Sequence, residues 1–269
     1  GSEDTVINIM PPGAGSHDFE PAASDLVNLY SADVLVYLGA GMEEWLDSVK
    51  NTLQEDRADL FFIEAAEGVE LLVGEAHAEH GEDEGGHEPE DEDEHGRFDP
   101  HVWLSPLRSI ELLENIRDGL IEVNPEGSAR YQANFEVAKS ELLELDKEFR
   151  TELSASSLDH FYITHEAFGY LADEYNLVQF GISGMVTEQE PSPERLAELV
   201  TAARSEGAKV IFYESGSSSK LADVLAGEIG ATVLPLHTIH APGAEELADG
   251  KDYVDLMREN LDNLLAAAP

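Results

Sequence analysis

Short apolar runs alternate with amphipathic stretches along most of the chain. Val34-Leu35-Val36-Tyr37-Leu38 is uniformly apolar and closed by Gly39, the pattern of a strand buried on both faces of a parallel sheet. Over 41–53 the apolar residues Met42, Trp45, Leu46 and Val49 recur at helical spacing. Residues 60–63 predict a second strand. Ser105-Pro106 supplies an N-cap and a first helical residue for a helix over 106–123. Asn124-Pro125 repeats that signal. From there to Leu153 no proline intervenes, and Tyr131, Phe135, Ala138, Leu142, Leu145, Phe149 and Leu153 keep helical spacing. One helix of roughly 40 Å is predicted, longer than a compact domain normally uses. Strands are then predicted at 161–164, 178–180, 209–213 and 231–236, with helices at 166–175, 193–205, 218–229 and 252–267. The pattern predicts an α/β fold: two lobes with parallel sheets flanked by helices, joined by one long rigid helix. The predicted division is 1–124 for the N-terminal lobe, 125–154 for the linking helix and 155–269 for the C-terminal lobe. In such sheets ligands sit beyond the carboxyl ends of the strands, which points to the cleft between the lobes.

Charge narrows the partners. The 269 residues hold 57 acidic and 15 basic side chains, a net charge of −42. Polyphosphate backbones and anionic membrane surfaces are repelled by such a molecule, so no nucleic acid is expected as a partner. Part of the acid lies at 75–96 together with His77, His80, His87 and His95. That stretch has almost nothing to bury, and a disordered loop with weak zinc affinity is predicted there. The remaining acid is spread along the chain, as suits a protein kept soluble in concentrated salt, where self-repulsion is screened. Apolar residues make up 42%, enough for a sizeable core. No 18-residue apolar run exists, so no membrane-spanning helix is predicted. There is no cysteine, which excludes disulfides, thiolate metal sites and cysteine nucleophiles.

A transition-metal site in this chain must therefore be built from His, Asp and Glu. His17 lies in a turn-rich loop, Pro11-Pro12-Gly13-Ala14-Gly15-Ser16-His17-Asp18-Phe19-Glu20-Pro21. His101 lies directly before a predicted helix, in Asp99-Pro100-His101-Val102-Trp103-Leu104-Ser105-Pro106. His165 ends a predicted strand at the carboxyl edge. Three turn-located histidines in separate segments are expected to converge on one site. His237 follows the 231–236 strand at the same edge and is the expected fourth ligand, with His240 in reserve. Glu214, ending another strand, is a candidate ligand or supporting carboxylate. His160 precedes its strand, at the opposite edge, and reads as a surface residue.

These segments resemble the metal-specific solute-binding proteins of ABC importers, the group with a long helix between two lobes that takes up zinc or manganese. The loop at 11–21 and the octapeptide at 99–106 carry the likeness. So do Thr164-His165-Glu166-Ala167-Phe168-Gly169-Tyr170, Glu190-Pro191-Ser192-Pro193 and Lys251-Asp252-Tyr253-Val254-Asp255-Leu256-Met257-Arg258-Glu259-Asn260-Leu261. The resemblance implies that His17, His101 and His165 are ligand positions. It also implies a fourth, usually a carboxylate, near His237. Histidine at the third position implies Zn2+ over Mn2+, since imidazole suits zinc and hard oxygen suits manganese. The implied role is an extracytoplasmic, monomeric carrier that hands the ion to an ABC permease, not an enzyme; surface adhesion is a role claimed for some relatives. A zinc hydrolase is the competing class, but after His165-Glu166 the residue completing a His-Glu-x-x-His motif is Gly169. Relatives carry a strand and helix ahead of the first ligand loop. Only ten residues precede Pro11, so that unit, with any signal peptide and lipid anchor, is expected to be missing here.

Overall fold

The computed structural model describes residues 4–12, 19–74, 98–183, 192–240, 243, 246 and 248–268, and the predicted acidic loop at 75–96 lies outside them. The first elements are α1 (Ala23–Ser31), β1 (Val34–Tyr37), α2 (Glu44–Asp56) and β2 (Phe61–Glu64). β1 and β2 pair in parallel, with Val34 opposite Phe61. α2 starts three residues later than the apolar spacing predicts, because Gly39, Ala40 and Gly41 take φ of 83°, 54° and 81°. That left-handed run cannot be helical. It brings the Leu38 and Gly39 N–H groups onto the Glu43 carboxylate at 2.9 and 3.1 Å.

Both capping signals ahead of the long helix are used. Ser105 Oγ accepts from the Arg108 N–H at 3.2 Å and opens α3 (Pro106–Val123). Asn124 Oδ1 accepts from the Gly127 N–H, and one 3-10 turn at Pro125–Gly127 leads into α4 (Ser128–Ala155). With 28 residues, α4 is about 42 Å long. Its buried apolar residues Phe135, Leu142, Leu145, Phe149 and Leu153 form one stripe along the helix.

The second half runs β3 (His160–His165), α5 (Gly169–Tyr175), β4 (Val178–Ser183), α6 (Pro193–Glu206), β5 (Val210–Glu214), α7 (Lys220–Ile229), β6 (Thr232–Leu236) and α8 (Tyr253–Ala266). The four strands form one parallel sheet in the order β4-β3-β5-β6. β6 is an edge strand, which is where Pro235 can sit without removing a ladder hydrogen bond. α5 begins at Gly169 rather than at 166. A tight turn carries the Ala167 N–H back to the His165 carbonyl, and the Phe168 N–H goes to Gln179 Oε1.

Alternate residues of the strands feed two cores. Phe161, Ile163, Phe212 and Leu236 pack against α4, α5 and α8, while Tyr162 and Ile211 pack against α6 and α7. Each such fully buried side chain contributes about 1.5–3 kcal/mol. The lobes meet at Tyr170, which is buried among Ala65, Val69, Val102 and Leu112. Its hydroxyl donates to the Asp99 carbonyl at 2.6 Å and accepts from the Leu72 N–H at 3.0 Å. Burial pushes the Tyr170 phenol up to about 12, so it remains a donor. The architecture is the two-lobed α/β fold with parallel sheets and a linking helix that the sequence predicts. Among the described residues, no helix is long and apolar enough to cross a membrane.

Candidate metal centre

His101 sits at the start of a 3-10 turn, Val102–Leu104, and is fully buried. Asp99 Oδ1 accepts from its backbone N–H at 2.9 Å and lies 2.8 Å from its Nδ1. A carboxylate can only accept, so the imidazole proton belongs on Nδ1 and the lone pair on Nε2. Asp99 is itself buried, and Gly169 is what allows it to lie there. A Cβ at Gly169 would stand 2.6 Å from Asp99 Oδ2.

His165, the last residue of β3, repeats the arrangement from the other lobe. Its Nδ1 is 3.0 Å from Glu214 Oε2, at the end of neighbouring β5. The rings of His101 and His165 lie 5.3 Å apart, nearly perpendicular at 79°. Two imidazoles, each oriented by a carboxylate on Nδ1, are thus brought side by side at the junction of the lobes. Carboxylate-backed imidazoles of this kind are common metal ligands, because the outer hydrogen bond fixes the tautomer and raises the basicity of the donor nitrogen.

Glu214 links three groups. Its Oε1 accepts from Thr238 Oγ1 at 2.7 Å and lies 3.7 Å from His240 Nδ1. Burial alone would raise its pKa. The hydrogen bond and charge of His165, with Thr238 and His240, outweigh that and hold the carboxyl down at about 2. His240 is shifted the other way from its ordinary value. Burial lowers its pKa, and the nearby His101 and His165 lower it further against the pull of Glu214. It is therefore a neutral imidazole at neutral pH, the form that coordinates metal. Its Nδ1 is buried and makes no hydrogen bond among the described residues.

His237 is placed differently from expectation. Its Nδ1 is 3.0 Å from Glu246 Oε1 and its Nε2 is 3.3 Å from Glu259 Oε2, so both ring nitrogens face carboxylates. The cause is the backbone beyond β6. Ile239 takes φ 62°, and the resulting turn brings His240, not His237, beside Glu214. His17 lies outside the described residues. His160 is at the amino end of β3, between Asp159 and Glu206, away from this cluster as expected. Among the described residues, no three His, Asp or Glu side chains are spaced to hold a metal ion as they stand. A cavity of about 590 Å³ with largely apolar walls, among them Leu38, Met42, Leu112 and Ile239, reaches His240 but neither His101 nor His165. The apolar part of these walls offers a cation nothing in exchange for its water.

The model of a known family, ZnuA, zinc-uptake complex component A, periplasmic, matches residues 1–267. The chain belongs to the ZnuA family. It is 37% identical over 268 residues to the zinc-binding protein AdcA of Streptococcus pyogenes serotype M3, covering 98% of this chain and 52% of that protein. It thus spans about half the length of the streptococcal AdcA relatives it matches. It is also 38% identical over 256 residues to the high-affinity zinc uptake system protein ZnuA of Bacillus subtilis, covering 95% of this chain and 78% of that protein. Among solved structures, the Zn(II)-bound ZnuA-like domain of Streptococcus pneumoniae AdcA is similar. Its TM-score is 0.79 at 32% identity, over 97% of this chain and 89% of that one. The ZnuA-family relationship agrees with the two-lobed fold and the helical link.

Proposed function

We propose that this chain captures Zn2+ outside the cytoplasm and delivers it to the permease of an ABC importer. Zinc is cargo, not a resident cofactor, and no catalytic role is assigned. The observation that carries the reading is the pair of imidazoles 5.3 Å apart, from two different lobes, each oriented through Nδ1 by a carboxylate. The ligand set we propose is His101, His165 and His240, with His17 as the fourth by family resemblance. Asp99 and Glu214 orient the rings. The names of the AdcA and ZnuA relatives, which state zinc binding and zinc uptake, support the choice of ion.

The chemistry of the donors points the same way. Neutral imidazole is a borderline donor suited to Zn2+, and a manganese site would be richer in oxygen. We take residues 1–124 and 155–269 as the lobes and 125–154 as the link. A 28-residue helix between them restricts hinge motion, so release proceeds by small relative shifts of the lobes. The net charge of −42 raises the local concentration of cations and suits a monomer working in concentrated salt.

The test is competition. Metal-stripped protein is equilibrated with equimolar Zn2+ and Mn2+ in molar salt, passed over a desalting column and measured by elemental analysis. Zinc retained in large excess over manganese is the expected result. Manganese at or above zinc would replace this reading with a manganese carrier.

A further inference from the structure

The segment that brings His240 to the cluster is held in a conformation its own sequence resists. Ile239, between Thr238 and His240, takes φ 62°. A β-branched side chain disfavours the left-handed region, so the surroundings must impose it. Two side chains from distant parts of the chain grip the backbone of the two residues that lead into it. Asn260, on α8, is completely buried. Its Oδ1 accepts from the His237 N–H at 2.7 Å and its Nδ2 donates to the His237 carbonyl at 2.8 Å. Trp103, two residues after His101, donates its indole N–H to the Thr238 carbonyl at 2.7 Å. Its own backbone carbonyl is fixed in turn by the Tyr253 hydroxyl at 2.7 Å. The gripped segment then acts on the cluster twice. Thr238 Oγ1 holds the Glu214 carboxylate that orients His165, and His240 stands beside that same carboxylate.

We propose that Asn260 and Trp103 are positioning residues for the metal: they hold 237–240 in its left-handed turn and so set His240 and the Glu214–His165 pair in place. This rests on the zinc reading of the site. It assigns a part in ion capture to a buried amide on the terminal helix and to an indole N–H from the opposite lobe, and it couples the two lobes through one backbone segment.

The experiment uses the full chain and zinc competition against a chelator. Asn260→Ala and Trp103→Phe are each measured alone and combined with Ile239→Gly, which removes the side chain that opposes the positive φ. Each single variant is expected to weaken zinc binding tenfold or more. Adding Ile239→Gly is expected to restore at least threefold of that loss, a rescue that a general loss of stability would not show. A loss below fivefold in both single variants, or no recovery with glycine in either background, overturns the proposal. Should Asn260→Ala fail to fold, the Trp103→Phe pair decides alone. His101→Ala is run in parallel. Wild-type affinity in that variant overturns the zinc reading of the site itself. Lost affinity there, with wild-type affinity in the Asn260 and Trp103 variants, overturns only the positioning.

Discussion

His165 and His237 hold nearly equivalent places in one sheet. Each stands at the carboxyl end of a parallel strand, and each has a carboxylate 3.0 Å from Nδ1. They differ at what surrounds the rest of the ring. His237 meets a second carboxylate, Glu259, at 3.3 Å from Nε2, whereas His165 meets another imidazole, His101, at 5.3 Å between rings. Two carboxylates on one ring make a charge cluster that ties a loop to α8. A carboxylate on Nδ1 of His101 and another on Nδ1 of His165, with the two rings side by side, make a pair of oriented imidazoles. Position at a strand end does not distinguish His165 from His237; among the described residues, the Glu259 carboxylate at His237 and the His101 ring beside His165 do.

Substitutions can break this comparison in order of effect. His165→Ala or His101→Ala removes a donor and is expected to weaken zinc binding more than about 100-fold, beyond what loss of an orienting group ordinarily costs. Calorimetric titration in molar salt measures it, and affinity within twofold of wild type would remove either residue from the ligand set. Glu214→Ala leaves His165 without its orienting carboxylate and is expected to cost about 10- to 100-fold. The same titration checks it, with unchanged affinity making the His165–Glu214 bond incidental. Thr238→Val deletes the hydroxyl on Glu214 while keeping the side chain's shape. A net hydrogen bond to a charged group is worth about 1.5–3 kcal/mol, and only part of that passes to the metal. A loss of about threefold to tenfold is expected by chelator competition. His237→Gln is expected to change zinc affinity less than about twofold, while lowering the melting temperature because the ring that stands between Glu246 and Glu259 is removed. A tenfold loss of affinity there would mean that His237, not His240, binds the ion.

The same pair of histidines shows how far the sequence could be read. Helix starts at Ser105 and Asn124 were legible because cap and proline chemistry are local, and both side chains accept a backbone N–H. The strands were legible from their continuous apolar runs. The starts of α2 and α5 were not. A left-handed run at Gly39–Ala40–Gly41 and a tight turn after His165 displaced them, and helical periodicity carries no trace of either. At the site, His101 and His165 were legible from their turn positions, and the structure sets their rings side by side. The turn that sets His240, and not His237, beside Glu214 was hidden. Glycine or asparagine at 239 would have announced a left-handed turn, but an isoleucine there argues against one. Asp99 stood in plain view two residues before His101, and the spacing that lets one carboxylate hold both the ring and the backbone of a histidine is the signal that finds it.

The most direct test of the account is nitrogen NMR of the full chain labelled at histidine, recorded with and without one equivalent of zinc. The expected result is that Nε2 of His101 and of His165 shift on metal binding while both keep a protonated Nδ1, and that both nitrogens of His237 stay where they were. A zinc-induced shift at His237, with the rings of His101 and His165 unchanged, would contradict the central claim.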